Sequence, residues 1–232
     1  MRATLARGVS EARLKYVLSR NSARHLFSLI LGAVAIATAL LAPLTTAQAA
    51  SLCATPKQAS DIQTEYAKHP GVPPFEIAKV MSLPEETVIT GLPDTQNVGT
   101  SDGRAFAKIW ESLAEWERPT VAILLPNDNI VEVVGPIGTV LNENEGTVKI
   151  ESLRMGVGGH FHLSSIAAIH SVAIPRNNKE TLYGTIFLAA DGRSIISVYS
   201  MKAAKPALIQ FLSPDAYQKT RDMISTLPRH CP

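Results

Sequence analysis

The sequence has little cysteine: two residues, Cys53 and Cys231, in a chain of 232. That excludes a disulfide-dense miniprotein and any four-cysteine zinc site. It also lacks a surplus of either charge. Basic side chains number 22 and acidic ones 20, a net of +2. So even a balance excludes a nucleic-acid binder that works by bulk attraction. Charged residues are only 18% and apolar residues 46% of the chain, which excludes a disordered protein. Familiar catalytic signatures are missing as well. There is no P-loop, no His-Glu-x-x-His and no Cys-x-x-Cys. Gly156, Gly158 and Gly159 precede a strand rather than a helix, so they make no dinucleotide fingerprint.

What is present is unevenly spread. Residues 1–49 hold six basic side chains (Arg2, Arg7, Arg13, Lys15, Arg20, Arg24) and one acid, Glu11. The uncharged run LFSLILGAVAIATALLAP follows, then Ala47-Gln48-Ala49. A basic region, an apolar core and a small-x-small site describe a secretory signal peptide cleaved near Ala49. The alternative is an uncleaved inner-membrane anchor, because about 17 apolar residues barely span a bilayer. The expected domains are therefore 1–49 as targeting segment and 50–232 as the working domain. Without the first segment the chain carries 16 basic and 19 acidic side chains, a net of −3. The positive charge belongs to the targeting segment. Export also places Cys53 and Cys231, near the two ends of residues 50–232, in an oxidising compartment where they can bridge. The closed loop is long, worth roughly 4–5 kcal/mol in the chain-entropy model. Two free thiols on frayed tails are the alternative.

Residues 57–69 read as a helix broken by His69-Pro70-Gly71, and 75–83 as a second short helix closed by Pro84. The pair has the outline of a helix-turn-helix, but the acidic charge favours a helical cap on a sheet. Residues 86–89 read as extended and 94–103 as loop. Asp102 or Ser101 can cap a helix through residue 117. On it Phe106, Ile109, Trp110, Leu113 and Trp116 share one face, a core stripe rather than a ligand platform. From Thr120 onward seven or eight short strands follow with hairpin spacing and no helical crossovers. Ser213-Pro214 starts a last helix. The expected class is α+β: N-terminal helices, a single large antiparallel sheet and a C-terminal helix.

Histidine carries the chemical information. His69 and His230 flank prolines near element ends and read as solvent residues. His160 and His162 are two apart on a strand, so both point to one face. They follow a glycine-rich turn, where a flat ligand can approach the backbone closely. Such a pair can bind a transition metal, or one imidazole can ligate a haem iron. Two polar residues on the wet face of a half-exposed sheet is the plain alternative.

The order of elements carries a resemblance. FEIAKVMSLPEETVI is a helix ending in Leu-Pro before the next segment. IWESLAEWERPTVAILL is a Trp-containing helix running into a long strand. MGVGGHF supplies a Gly-x-x-Gly-His turn and GTIFLAADGRSIISVY a final hairpin. From about residue 74 to 222 the chain resembles the HutX/ChuX family of haem-utilisation carrier proteins.

The resemblance implies an α+β haem carrier, a homodimer, that is not an enzyme and whose partner is a haem-degrading or haem-transport protein. It maps the family's haem-binding histidine onto His160. His162 lies outside the shared motif and is a candidate second ligand, as are Tyr183 and Tyr199. Arg154, Met155 and Gly159 complete the expected haem surroundings. Val157 and Phe161 would extend the apolar slab, and Lys149 or Arg176 could meet the propionates. Two departures stand out. Pro126 occupies the place of another family histidine, which favours a rival reading: an interaction domain that has lost its ligand. The targeting segment also sends this chain out of the cytosol where the family works, to the periplasm, where it would buffer or relay haem. A haem-degrading enzyme and a bare metal site on His160 and His162 are the remaining readings.

Overall fold

The computed structural model describes residues 52–116, 119–124, 129–144, 146–152, 157–177, 180–200 and 214–231. The chain divides into two units, Met1–Thr45 and Thr46–Pro232, and all described residues belong to the second. Residues 1–51, which include the segment read as a targeting signal, lie outside the described residues, as do Pro126, Arg154, Met155 and Ser213. No described helix is long and apolar enough to cross a membrane.

Helix α1 (Pro56–Lys68) opens with a capping box. Thr55 Oγ1 accepts from the Gln58 backbone N–H, and Gln58 Oε1 accepts from the Thr55 N–H at 2.9 Å, satisfying two orphan donors of the first turn. Gly71, at φ +74°, reverses the chain. Helix α2 (Pro74–Met81) ends on Ser82 in the left-handed region. Helix α3 (Glu85–Thr90) corrects the extended reading of residues 86–89. Its β-branched Thr87, Val88 and Ile89 favour a strand by propensity. Pro84 starts a helical turn instead, and Val88 and Ile89 bury completely against α1 and α2, so packing overrides propensity.

Strand β1 (Asn97–Thr100) corrects the loop reading of 94–103. Its polar sequence hides an edge strand whose partner, not its own side chains, fixes it. After a 3-10 turn capped by Asp102, helix α4 (Phe106–Leu113) follows. Its stripe is core, as expected: Phe106, Ile109, Trp110 and Leu113 are fully buried and Trp116 nearly so. Then come β2 (Thr120–Leu124), β3 (Ile130–Val134), β4 (Thr139–Asn144), β5 (Thr147–Glu151), β6 (Gly159–His162), β7 (Ala168–Pro175), β8 (Thr181–Leu188), β9 (Ser194–Tyr199) and the closing helix α5 (Pro214–Ser225).

Every strand pair is antiparallel, and the expected α+β class holds. The strands divide between two sheets: six in the order β1-β7-β8-β9-β2-β3, and three in the order β4-β5-β6. Alternation along β7 shows the layering. Ala168, Val172 and Ile174 face α1–α3, whereas Ile169 and Ala173 face α4, α5 and the small sheet. The six-stranded sheet is therefore covered on both sides. The Trp110 indole N–H donates to the Gly138 carbonyl at 2.8 Å and ties α4 to the approach of β4.

The ends are joined. Cys53 and Cys231 form a disulfide with their Cα atoms 5.9 Å apart, as expected from their placement. Arg229 bridges to Thr100 and the His230 N–H donates to the Gly99 carbonyl, so the C-terminal tail lies along the free edge of β1.

Candidate functional site

Strand β6 supplies the histidine pair. It is the edge strand of the small sheet and pairs with β5 so that His162 stands opposite Thr147 and His160 opposite Lys149. Phe161, between them, points the other way. Its ring lies 5.0 Å from Phe106 and 5.6 Å from Trp110. The period-two rule then sends both imidazoles outward, and both residues are exposed. Opposite residues share a face, so His160, His162, Lys149 and Thr147 form one outward surface. His162 Nδ1 lies 3.2 Å from Thr147 Oγ1. Leu141, at the bulge of β4, is half exposed.

The structure separates several residues that sequence reasoning grouped with this pair. Phe161 and Val157 pack inward in the core with α4, so they do not offer an apolar slab on the histidine face. Tyr199 is buried on the other side of the six-stranded sheet, beside Phe75. Tyr183 stacks on Tyr217 of α5 at 4.2 Å between ring centres. Arg176 packs over Gly71, between α1 and α2, and away from β6. Among the described candidates, Lys149 is the cation next to His160. A Cβ added to Gly159 would meet only Phe161, at 3.8 Å, so among the described residues its neighbours do not demand a glycine.

Alternate Cα atoms on a strand are about 6.6–6.8 Å apart. A flat ring resting on this face would meet His160 and His162 from the same side. The Thr147 contact occupies only His162 Nδ1 and leaves Nε2 free, so what sets His160 apart is Lys149 directly across from it. The residues present fit a haem that would be held by one histidine with a neighbouring cation.

A second group of histidines was misread. His230 is not a solvent residue: its side chain is 20% exposed and Nε2 contacts Glu86 Oε1. His170, on β7, is fully buried, and its ring meets that of His230 edge-on at 5.6 Å. His170 Nδ1 lies 3.1 Å from Asn97 Oδ1. Burial, and secondarily the charge of His230, lower the His170 pKa to about 3, so the ring stays neutral. Glu86 comes from α3, His170 from β7 and His230 from the tail. Three such distant positions leave no spacing in the sequence to find.

Residues 100–212, just under half the chain, match the family model for haem utilisation proteins ChuX/HutX. The resemblance is to the ChuX/HutX family. Solved structures agree on the fold. This chain superposes on the heme-binding protein ChuX with a TM-score of 0.56 at 17% identity, covering 72% of this chain and 98% of that one. Holo-PhuS, a heme-binding protein from Pseudomonas aeruginosa, gives 0.55 at 16%, covering 71% of this chain and 45% of PhuS. The heme-degrading enzyme ChuS of Escherichia coli O157:H7 gives 0.55 at 18%, covering 73% and 47%. No curated protein sequence matches this chain.

Proposed function

We propose that this protein binds haem on the outward face of β6, through His160, and carries or buffers it outside the inner membrane without transforming it. One observation carries the reading. An exposed imidazole stands on a packed sheet edge, beside a lysine, within the segment matched to haem utilisation proteins. The iron would take the His160 imidazole, and Lys149 would meet a propionate. An exposed site suits cargo that must be released. The targeting segment supports export, and the Cys53–Cys231 bridge suits an oxidising compartment. The partner would be a haem-transport or haem-degrading protein. A homodimer is part of the proposal, supported by the edge strand β3, where Val131 and Val134 are 44% and 61% exposed.

The test is a haem titration of protein purified from cells expressing the full chain. A saturable Soret band is expected, and His160→Ala should weaken it. Absence of any saturable spectrum overturns haem binding and favours the interaction-domain reading. Loss of the band with reductant and oxygen, with a cleaved tetrapyrrole as product, would make the protein an enzyme. Osmotic-shock fractionation tests the location. Light scattering tests the dimer.

A further inference from the structure

The cluster of Glu86, His170 and His230 lies on the side of the six-stranded sheet that faces α1–α3, whereas His160 and His162 project from the small sheet. The geometry points to a second site here, built for a divalent transition-metal ion of the zinc class, with Glu86, His170 and His230 as protein ligands.

Four observations support it. Ligand atoms of the three residues all lie within 4.8 Å of one another. Zinc at about 2.0–2.1 Å from each ligand holds tetrahedral neighbours about 3.3 Å apart, so modest side-chain rotation closes the set. Next, the donors are poised. His170 Nε2 is buried without a hydrogen-bond partner, and so is His230 Nδ1. A buried nitrogen left unpaired costs on the order of 1–3 kcal/mol, and coordination would recover that cost. His170 Nδ1 is already held against Asn97 Oδ1. That is the outer contact that fixes a ligating imidazole and leaves its other nitrogen for metal.

The third observation is the space made for these side chains. A Cβ at Gly99 would stand 2.2 Å from His170 Cε1, and one at Gly192 would stand 3.2 Å from Glu86 Oε2. Two glycines on different elements thus leave room for two of the three ligands. Last, there is access. A cleft of about 390 Å³ lined by Asn97, His170, Arg221, Asp222 and Cys231 opens beside the His170 ligand, a path by which an ion or water can approach it. Chemistry selects the ion: imidazole nitrogens with one carboxylate suit zinc, copper, nickel or ferrous iron rather than calcium or magnesium.

His230 is the ligand that must be delivered. It hangs on the tail by its N–H to Gly99, by the Arg229–Thr100 bridge and by the adjacent disulfide at Cys231. The site therefore exists as a three-ligand set only when the tail is docked.

This inference does not rest on haem binding, and one set of variants separates the two. Untagged protein purified from cells expressing the full chain is stripped with chelator and titrated with zinc by calorimetry. Cobalt serves as a coloured stand-in. One zinc per chain is expected, with visible d–d bands for bound cobalt. Glu86→Gln and His230→Gln should each weaken zinc at least about tenfold. His160→Ala with His162→Ala should leave zinc binding unchanged. His170→Ala is fully buried and can fail to fold, so the Glu86 and His230 variants decide. The proposal is overturned if neither metal binds saturably, or if zinc survives in Glu86→Gln and His230→Gln but is lost in the His160/His162 double variant.

Discussion

The ring of Phe161 sits 5.0 Å from that of Phe106, and this contact decides which way His160 and His162 face. β6 is short and lies at the edge of its sheet. Its inward residue is what pins its orientation to the core beneath α4. Phe161→Ala should therefore destabilise the fold by about 2–4 kcal/mol, the low end of aromatic truncation because the ring is only partly buried. It should also weaken haem binding although Phe161 would not touch the iron. Phe161→Leu should recover most of both. Urea denaturation followed alongside haem titration checks the pair; equal haem affinity in Phe161→Ala would show that β6 holds its face without this anchor.

The disulfide joins residues 178 apart in sequence. Its effect on the unfolded chain should be near the upper end for a single bridge, about 4–5 kcal/mol in the loop-entropy model. Cys53→Ser is expected to lower the melting temperature by several degrees or more and to loosen the tail first. Hydrogen exchange at the His230 amide, which donates to Gly99, reports that loosening. Unchanged protection there would mean the β1 edge alone holds the tail.

How much of this was legible in the sequence depends on the range of the interaction. The α4 stripe and the hairpins are local, with periods of 3.6 and 2, and both were read correctly. The outward face of His160 and His162 followed from the same period. Yet the same period sends Phe161, which lies between them, to the opposite face, so grouping it with a haem surface contradicted the alternation. Helix α3 and strand β1 were missed because their state is set by neighbours: Val88 and Ile89 by the helices they pack on, Asn97–Thr100 by β7. The cluster of Glu86, His170 and His230 was beyond reach, since it is assembled by α3, β7 and a tail tied down by the disulfide.

Gly99 tests the packing around His170 directly. A Cβ there would fall 2.2 Å from the imidazole Cε1, well inside van der Waals contact. His170 is fully buried, so the ring can yield only by displacing its neighbours. Gly99→Ala should cost about 1–3 kcal/mol by overpacking and should move the His170 imidazole resonances in an NMR spectrum. The His160 and His162 resonances should stay in place, because they lie in the other sheet. Movement of all three rings would indicate that the two sheets respond as one body.

The last prediction concerns which imidazole meets iron. His160 and His162 leave the same face, about 6.6–6.8 Å apart along β6, and His162 is 3.2 Å from the Thr147 hydroxyl. If a haem lies on that face, His160, with Lys149 directly across from it, would hold the iron. His160→Ala should then remove the histidine-ligated spectrum of the ferric complex and weaken affinity about tenfold or more. His162→Ala should shift affinity by less than about threefold and leave the spectral type unchanged, since it removes no ligand. Lys149→Ala should weaken binding by an intermediate amount, with greater effect at low salt, as expected of an exposed charge pair with a propionate. Absorption and electron paramagnetic resonance spectra of the three variants separate these cases. If His162→Ala alone abolished the ligated spectrum, His162 would be the ligand and the assignment of His160 would fall.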